Sequence, residues 1–113
     1  ADKFEKFYQA IINKLSAKGI TAILCTPAVV GEKTDMSNQL DGDLNRYSNI
    51  IRDLAKKNNL LLVDLRKKFL DYLKDNNPRN EEKNILTYDR VHMNDKGNQF
   101  IADQMWKVIK DIK

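Results

Sequence analysis

Apolar residues recur at three- and four-residue spacing through DKFEKFYQAIINKLSAKG, where Phe4, Phe7, Tyr8, Ile11, Ile12 and Leu15 share one side of a helix and Gly19 follows as a C-terminal cap. The pattern then changes. ITAILCT is a continuous, β-branched-rich apolar run stopped by Pro27, as expected of a strand covered on both faces in a parallel sheet. PAVVGEKTDMSNQLDG has no sustained periodicity and reads as a long loop, a length more often functional than idle. Helical spacing returns over residues 43–57, with Leu44, Tyr47, Ile50, Ile51, Leu54 and Ala55 inward, until NN breaks it. LLLVDL repeats the buried-strand pattern, and Asp64 stands where it can cap a third helix, RKKFLDYLKD. After the polar NNPRNEEKN, a last helix places Phe100, Ile101, Met105, Val108, Ile109 and Ile112 inward, with Trp106 beside them in the core.

The order helix, strand, loop, helix, strand, helix, loop, helix contains a strand-helix-strand crossover, which makes parallel neighbours with helices on the sheet faces. Two fully apolar strands are too few. Their outer edges would leave backbone donors and acceptors unpaired, so the chain reads as the second half of an α/β domain whose first strands lie elsewhere.

Composition agrees with this and removes some functions. The chain has 113 residues, 42% apolar and 32% charged, enough for one packed domain or part of one. The net charge of +4 arises from 20 basic and 16 acidic residues whose signs alternate, which is a solvated surface and not the one-sided basic face that nucleic acid requires. No apolar run approaches the roughly 20 residues of a membrane span. The single cysteine, Cys25, rules out an internal disulfide or a multi-cysteine zinc site and reads as a core filler. One histidine and scattered carboxylates offer no metal-ligand spacing, and no cofactor is expected.

TYDRVHMNDKGNQF, residues 87–100, holds that histidine, His92, with Asp89 three residues before it. A hydroxyl nucleophile needs a neighbouring base, histidine has a suitable pKa, and a carboxylate on its second nitrogen fixes its tautomer. Spacing by itself also fits a surface histidine leading into a helix that Asn94 or Asp95 caps, with Gly97 allowing close packing in the first turn. The two readings are compatible, since a helix that starts beyond His92 anchors its loop.

YDRVHMNDKGNQFIADQMW resembles the last block of the SGNH hydrolases, the GDSL esterase and lipase family, in which Asp-x-x-His precedes a small polar segment, a glycine and the closing helix. Upstream, DKFEKFYQAIINKL, ITAILCTPAVVGE and LNRYSNIIRDLAKKNNLLLVDL resemble that family's helices and strands in the same order. The resemblance implies the C-terminal half of a three-layer α/β/α, flavodoxin-like domain with a parallel sheet, spanning residues 1–113. It makes His92 the general base and Asp89 its orienting carboxylate, and leaves Asp95 as a helix cap. The family's Gly-Asp-Ser nucleophile segment and its Gly-x-Asn-Asp oxyanion segment are not found in this sequence. A preceding segment of the same domain is therefore the expected partner, and this chain alone is expected to be inactive.

The implied activity is hydrolysis of a carboxylic ester through an acyl-enzyme, on acetylated sugars, short-chain esters or lysophospholipids. Pro27, Val29, Val30 and Met36 either line an acyl or alcohol pocket, since open α/β sheets bind ligands beyond the C-terminal ends of their strands, or pack under the loop itself. Tyr88 either shapes the site or packs beside it. Family members that act on carbohydrate esters are commonly exported, so the compartment leans to secreted or periplasmic. The rival readings are a non-catalytic binding or assembly module that keeps the fold, and a basic interaction domain.

Overall fold

A computed structural model describes residues 2–112, with helices α1 (Asp2–Ala17), α2 (Asp41–Lys57), α3 (Leu65–Asn76) and α4 (Asp95–Ile109) and strands β1 (Ile23–Cys25) and β2 (Leu61–Val63). The strands pair in parallel, Leu24 opposite Leu62, as the crossover requires. Alternation along each strand sorts side chains to two layers. Leu24 and Leu62 meet α1 and α2 in a cluster with Ile12, Ile51, Leu54 and Ala55. Ile23, Cys25 and Val63 meet the other layer, where Phe69 and Leu73 of α3 pack with Phe100, Ile101, Met105 and Val108 of α4.

Both helices that feed the strands end in the same way. Ile20 N–H donates to Leu15 C=O and Gly19 N–H to Ser16 C=O, while Leu60 and Asn59 repeat this onto Ala55 and Lys56. Gly19 (φ 72°) and Asn59 (φ 54°) hold the left-handed position that this termination needs. The turns consume part of each apolar run, so each ladder is three residues long rather than the six or seven expected, and Leu61 is half exposed. Helix α2 begins at Asp41, two residues before the expected start. Asp41 is buried there against the Arg66 guanidinium at 2.8 Å, an ion pair that ties the start of α2 to α3.

The inward faces of α1 and α4 differ from expectation. Phe7 and Ile11 of α1 are exposed, as are Ile109 and Ile112, and Trp106, expected in the core, is 62% exposed. Among the described residues β1 pairs only with β2, which leaves its other edge without a strand partner. The chain is accordingly flat, 19 Å in its thinnest direction, with a radius of gyration of 15.1 Å against about 13 Å for a compact chain of this length. Among the described residues no helix is long and apolar enough to cross a membrane.

Candidate active site

The segment between α3 and α4 is built as a closed loop on a buried base. Leu86 and Thr87 are fully buried, and Thr87 bridges Met93 across the loop. Tyr88 N–H donates to His92 C=O, and Asn94 N–H to Leu86 C=O, closing the ends. Arg90, at the turn, adopts φ 81°, a conformation unusual for a side chain of its size; its N–H donates to the Thr87 hydroxyl and its carbonyl accepts from Gly31 N–H at 2.8 Å.

Asp89 and His92 sit on this loop in direct contact. The Asp89 Oδ2 lies 2.6 Å from His92 Nδ1, and Oδ1 accepts from the His92 and Val91 backbone N–H groups at 2.6 and 2.9 Å. The carboxylate is thus set by the backbone before it reaches the ring. The His92 amide, then the His92 ring and the Val91 amide hold the Asp89 carboxyl down to about 2. The Tyr88 ring stacks near the imidazole, 5.8 Å between centroids and 29° between planes. Both members of the pair face solvent, with side-chain exposures of 68% for His92 and 40% for Asp89. No hydrogen bond engages His92 Nε2 among the described residues.

Helix α4 begins directly behind the pair. Asn94, and not Asp95, is its N-cap: the Asn94 side chain accepts from Gly97 N–H at 2.8 Å, while Asp95 stands in the first turn beside the positive helix end. Gly97 packs so tightly that a Cβ on it would fall 2.0 Å from the Leu86 carbonyl oxygen. That approach seats α4 against the loop.

The loop after β1 forms the other side of the region, but its candidate pocket residues do not converge. Val29 is buried in the α3/α4 core, where its isopropyl group fills space under the loop. Val30 borders a polar cleft of about 280 Å³ with Lys33, Asn38, Gln39, Glu82 and Arg90. Pro27 borders a separate apolar cleft of about 430 Å³ with Phe4, Tyr8, Cys25 and Tyr47. Met36 is exposed, against the Asn45 amide. Cys25 is half-buried rather than a full core filler, and that burial pushes its thiol up, away from reactivity.

Two buried polar residues of this region were not singled out in the sequence. Arg66 donates to Asp41, Asn45 and the Ala28 carbonyl, holding the β1 loop onto α3. Glu32 is completely buried and reaches residues 85–87. Partners so far apart in sequence leave no local signal, apart from charged residues that the fold has to satisfy.

A profile of the GDSL-like lipase/acylhydrolase family matches residues 1–100. The acetyl xylan esterase AlAXEase superposes with a TM-score of 0.94 at 61% identity, over 96% of this chain and 55% of that one. Axe2, an acetylxylan esterase from Geobacillus stearothermophilus, gives 0.80 at 21% identity over 99% of this chain and 48% of its own. LAE5, an alpha/beta hydrolase enzyme from the metagenome of Lake Arreo, Spain, gives 0.77 at 25% identity over 95% and 46%. The chain spans about half the length of these structures, and the α/β architecture expected from the sequence is theirs. Comparison with curated proteins finds no match.

Proposed function

The chain belongs to the GDSL-like lipase/acylhydrolase family, and from that premise we propose that it is the His-bearing part of a serine-dependent carboxylic ester hydrolase acting on acetylated carbohydrate. The carbohydrate ester is favoured because AlAXEase, at 61% identity, is an acetyl xylan esterase. The observation that carries the reading is the Asp89–His92 contact, with Oδ2 on Nδ1 at 2.6 Å and Nε2 unengaged. An imidazole that gives Nδ1–H to a carboxylate presents Nε2 as an acceptor, the form a general base needs.

In this account residues 1–113 are one part of a single domain, and a preceding segment supplies the serine, the oxyanion donors and the strands beside β1. The exposed Phe7, Ile11 and Trp106 and the unpaired β1 edge support it, since each is the surface that such a segment would cover. His92 Nε2 takes the serine proton as the hydroxyl oxygen attacks the acyl carbonyl. The tetrahedral intermediate collapses, the C–O bond to the alcohol breaks, and His92 returns the proton to the departing oxygen. Water, deprotonated by the same nitrogen, then cleaves the acyl-enzyme and regenerates the serine. Asp89 orients the ring and stabilises the imidazolium in both halves. Pro27 and Val30, which line their clefts, and Val29 beside them are the candidate contacts to the substrate.

The test is hydrolysis of 4-nitrophenyl acetate and acetylated xylan by the complete protein and its His92→Ala variant. A loss of at least about 10³-fold in kcat is expected, with folding retained. Unchanged hydrolysis would remove His92 from the chemistry and return the chain to a binding role.

A further inference from the structure

Glu32 is the one carboxyl group that is both fully buried and unpaired with any cation among the described residues. Its oxygens meet only neutral donors. Oε1 accepts from Leu86 N–H at 2.6 Å, and Oε2 from the Thr87 hydroxyl at 2.7 Å and from Ile85 and Thr87 N–H at 3.2 and 3.3 Å. Three successive backbone N–H groups and a hydroxyl therefore converge on one side chain, as in an anion-binding nest. The backbone of Glu32 adds to the junction, with its N–H on Glu82 C=O and its C=O accepting from Asn77 Nδ2.

Burying a carboxylate without a counter-ion costs stability, and a well-packed apolar residue would serve the core better. What it gives here is direction. The donors belong to the base of the loop that carries Asp89 and His92, and the Thr87 hydroxyl that donates to Glu32 also accepts Arg90 N–H at 3.1 Å, at the turn between the pair. Thr87 in turn pairs with Met93 on the other side of His92. From Glu32 to the imidazole the path is thus one hydroxyl and one short stretch of backbone.

We infer that Glu32 is the positioning residue for the His92–Asp89 pair, a strap from the β1 loop that fixes the height and tilt of the catalytic loop above α4. The inference rests on the esterase reading for its catalytic meaning, though its geometric content stands without it. Because a carboxylate only accepts, Glu32→Gln forces an NH₂ group against Leu86 N–H in one orientation, or against the Ile85 and Thr87 N–H groups in the other, where the Thr87 hydroxyl must also reverse its bond.

In the complete protein, Glu32→Gln should lower kcat about 10²-fold with KM little changed, as expected of a misplaced base. The Nδ1 proton resonance of His92, assigned by its absence from His92→Ala, should shift or broaden in the same variant. Thr87→Val, which removes the hydroxyl link, should lower kcat about tenfold, and Thr87→Ser should restore it. A Glu32→Gln protein with wild-type kcat and an unmoved His92 resonance, whatever its Tm, overturns the inference. If that variant does not fold, equal kcat in Thr87→Val and Thr87→Ser does the same. Activity retained by His92→Ala would defeat the esterase reading alone, and the resonance would still report whether Glu32 sets the ring.

Discussion

The starts of α3 and α4 look alike, each a polar residue capping an amphipathic helix, yet the aspartates beside them have opposite fates. At α3, Asp64 is fully committed. Its oxygens accept from Arg52 Nε and Nη2 at 2.7 and 2.9 Å, from the Thr26 hydroxyl at 3.0 Å and from Lys67 N–H at 3.2 Å, so it caps the helix and locks it to β1 and α2. Burial opposes its charge, but Arg52, Lys67 and Thr26 outweigh it and hold the carboxyl below its ordinary value. At α4 the capping work falls to Asn94, which leaves Asp89 free to hold a titratable ring at the surface. A carboxylate whose acceptors all serve the scaffold is structural, whereas we propose that Asp89, whose second oxygen is given to an exposed imidazole, serves the chemistry.

Substitutions can break this contrast. Asp89→Asn in the complete protein should cut kcat by about 10³–10⁴-fold while Tm stays near wild type, because the amide presents the wrong partner to Nδ1. A large fall in Tm with modest loss of activity would make Asp89 a second Asp64. Gly97→Ala comes next, since its Cβ would meet the Leu86 carbonyl at 2.0 Å. The expected cost is about 2–3 kcal/mol in denaturant unfolding, with the loop pushed off α4. Asp64→Asn should be smaller, about 1–2 kcal/mol from a weakened cap and a lost ion pair, with kcat per folded molecule unchanged.

Acid sharpens the same comparison with the smallest effect. The Asp89 carboxyl lies at about 2, below its ordinary 3.8, so what it contributes to loop order is complete above pH 3.8 and disappears as pH falls towards 2. Asp64, also held low, loses its contribution in the same direction. The Asp89 side-chain carboxyl carbon signal should therefore show its acid titration step near pH 2. A step at the ordinary 3.8 would show that the Asp89 contacts are not made in solution.

What the sequence disclosed follows the distance over which each interaction acts. The Asp89–His92 contact and the Asn94 cap lie within one turn of chain, and residue types at fixed offsets revealed them, though not which of Asn94 and Asp95 caps. The parallel pair of strands was legible from two apolar runs, but its length was not, because the helix terminations at Gly19 and Asn59 take residues from each run. Burial of Trp106 was misjudged for a different reason: an apolar stripe announces that a face will be covered, not which part of the domain covers it. Glu32 was invisible, since its partners lie more than 50 residues away and a lone glutamate in a loop resembles any solvated charge.

On the function proposed above, His92 activates a serine supplied by another part of the same domain. The most direct measurement is labelling of the complete protein with a fluorophosphonate, which reacts with base-activated serines, followed by intact mass and peptide mapping. One adduct is expected, on a serine outside residues 1–113, formed in the wild type and slowed by orders of magnitude in His92→Ala. An adduct on a serine within residues 1–113, or labelling at the same rate without His92, would contradict it.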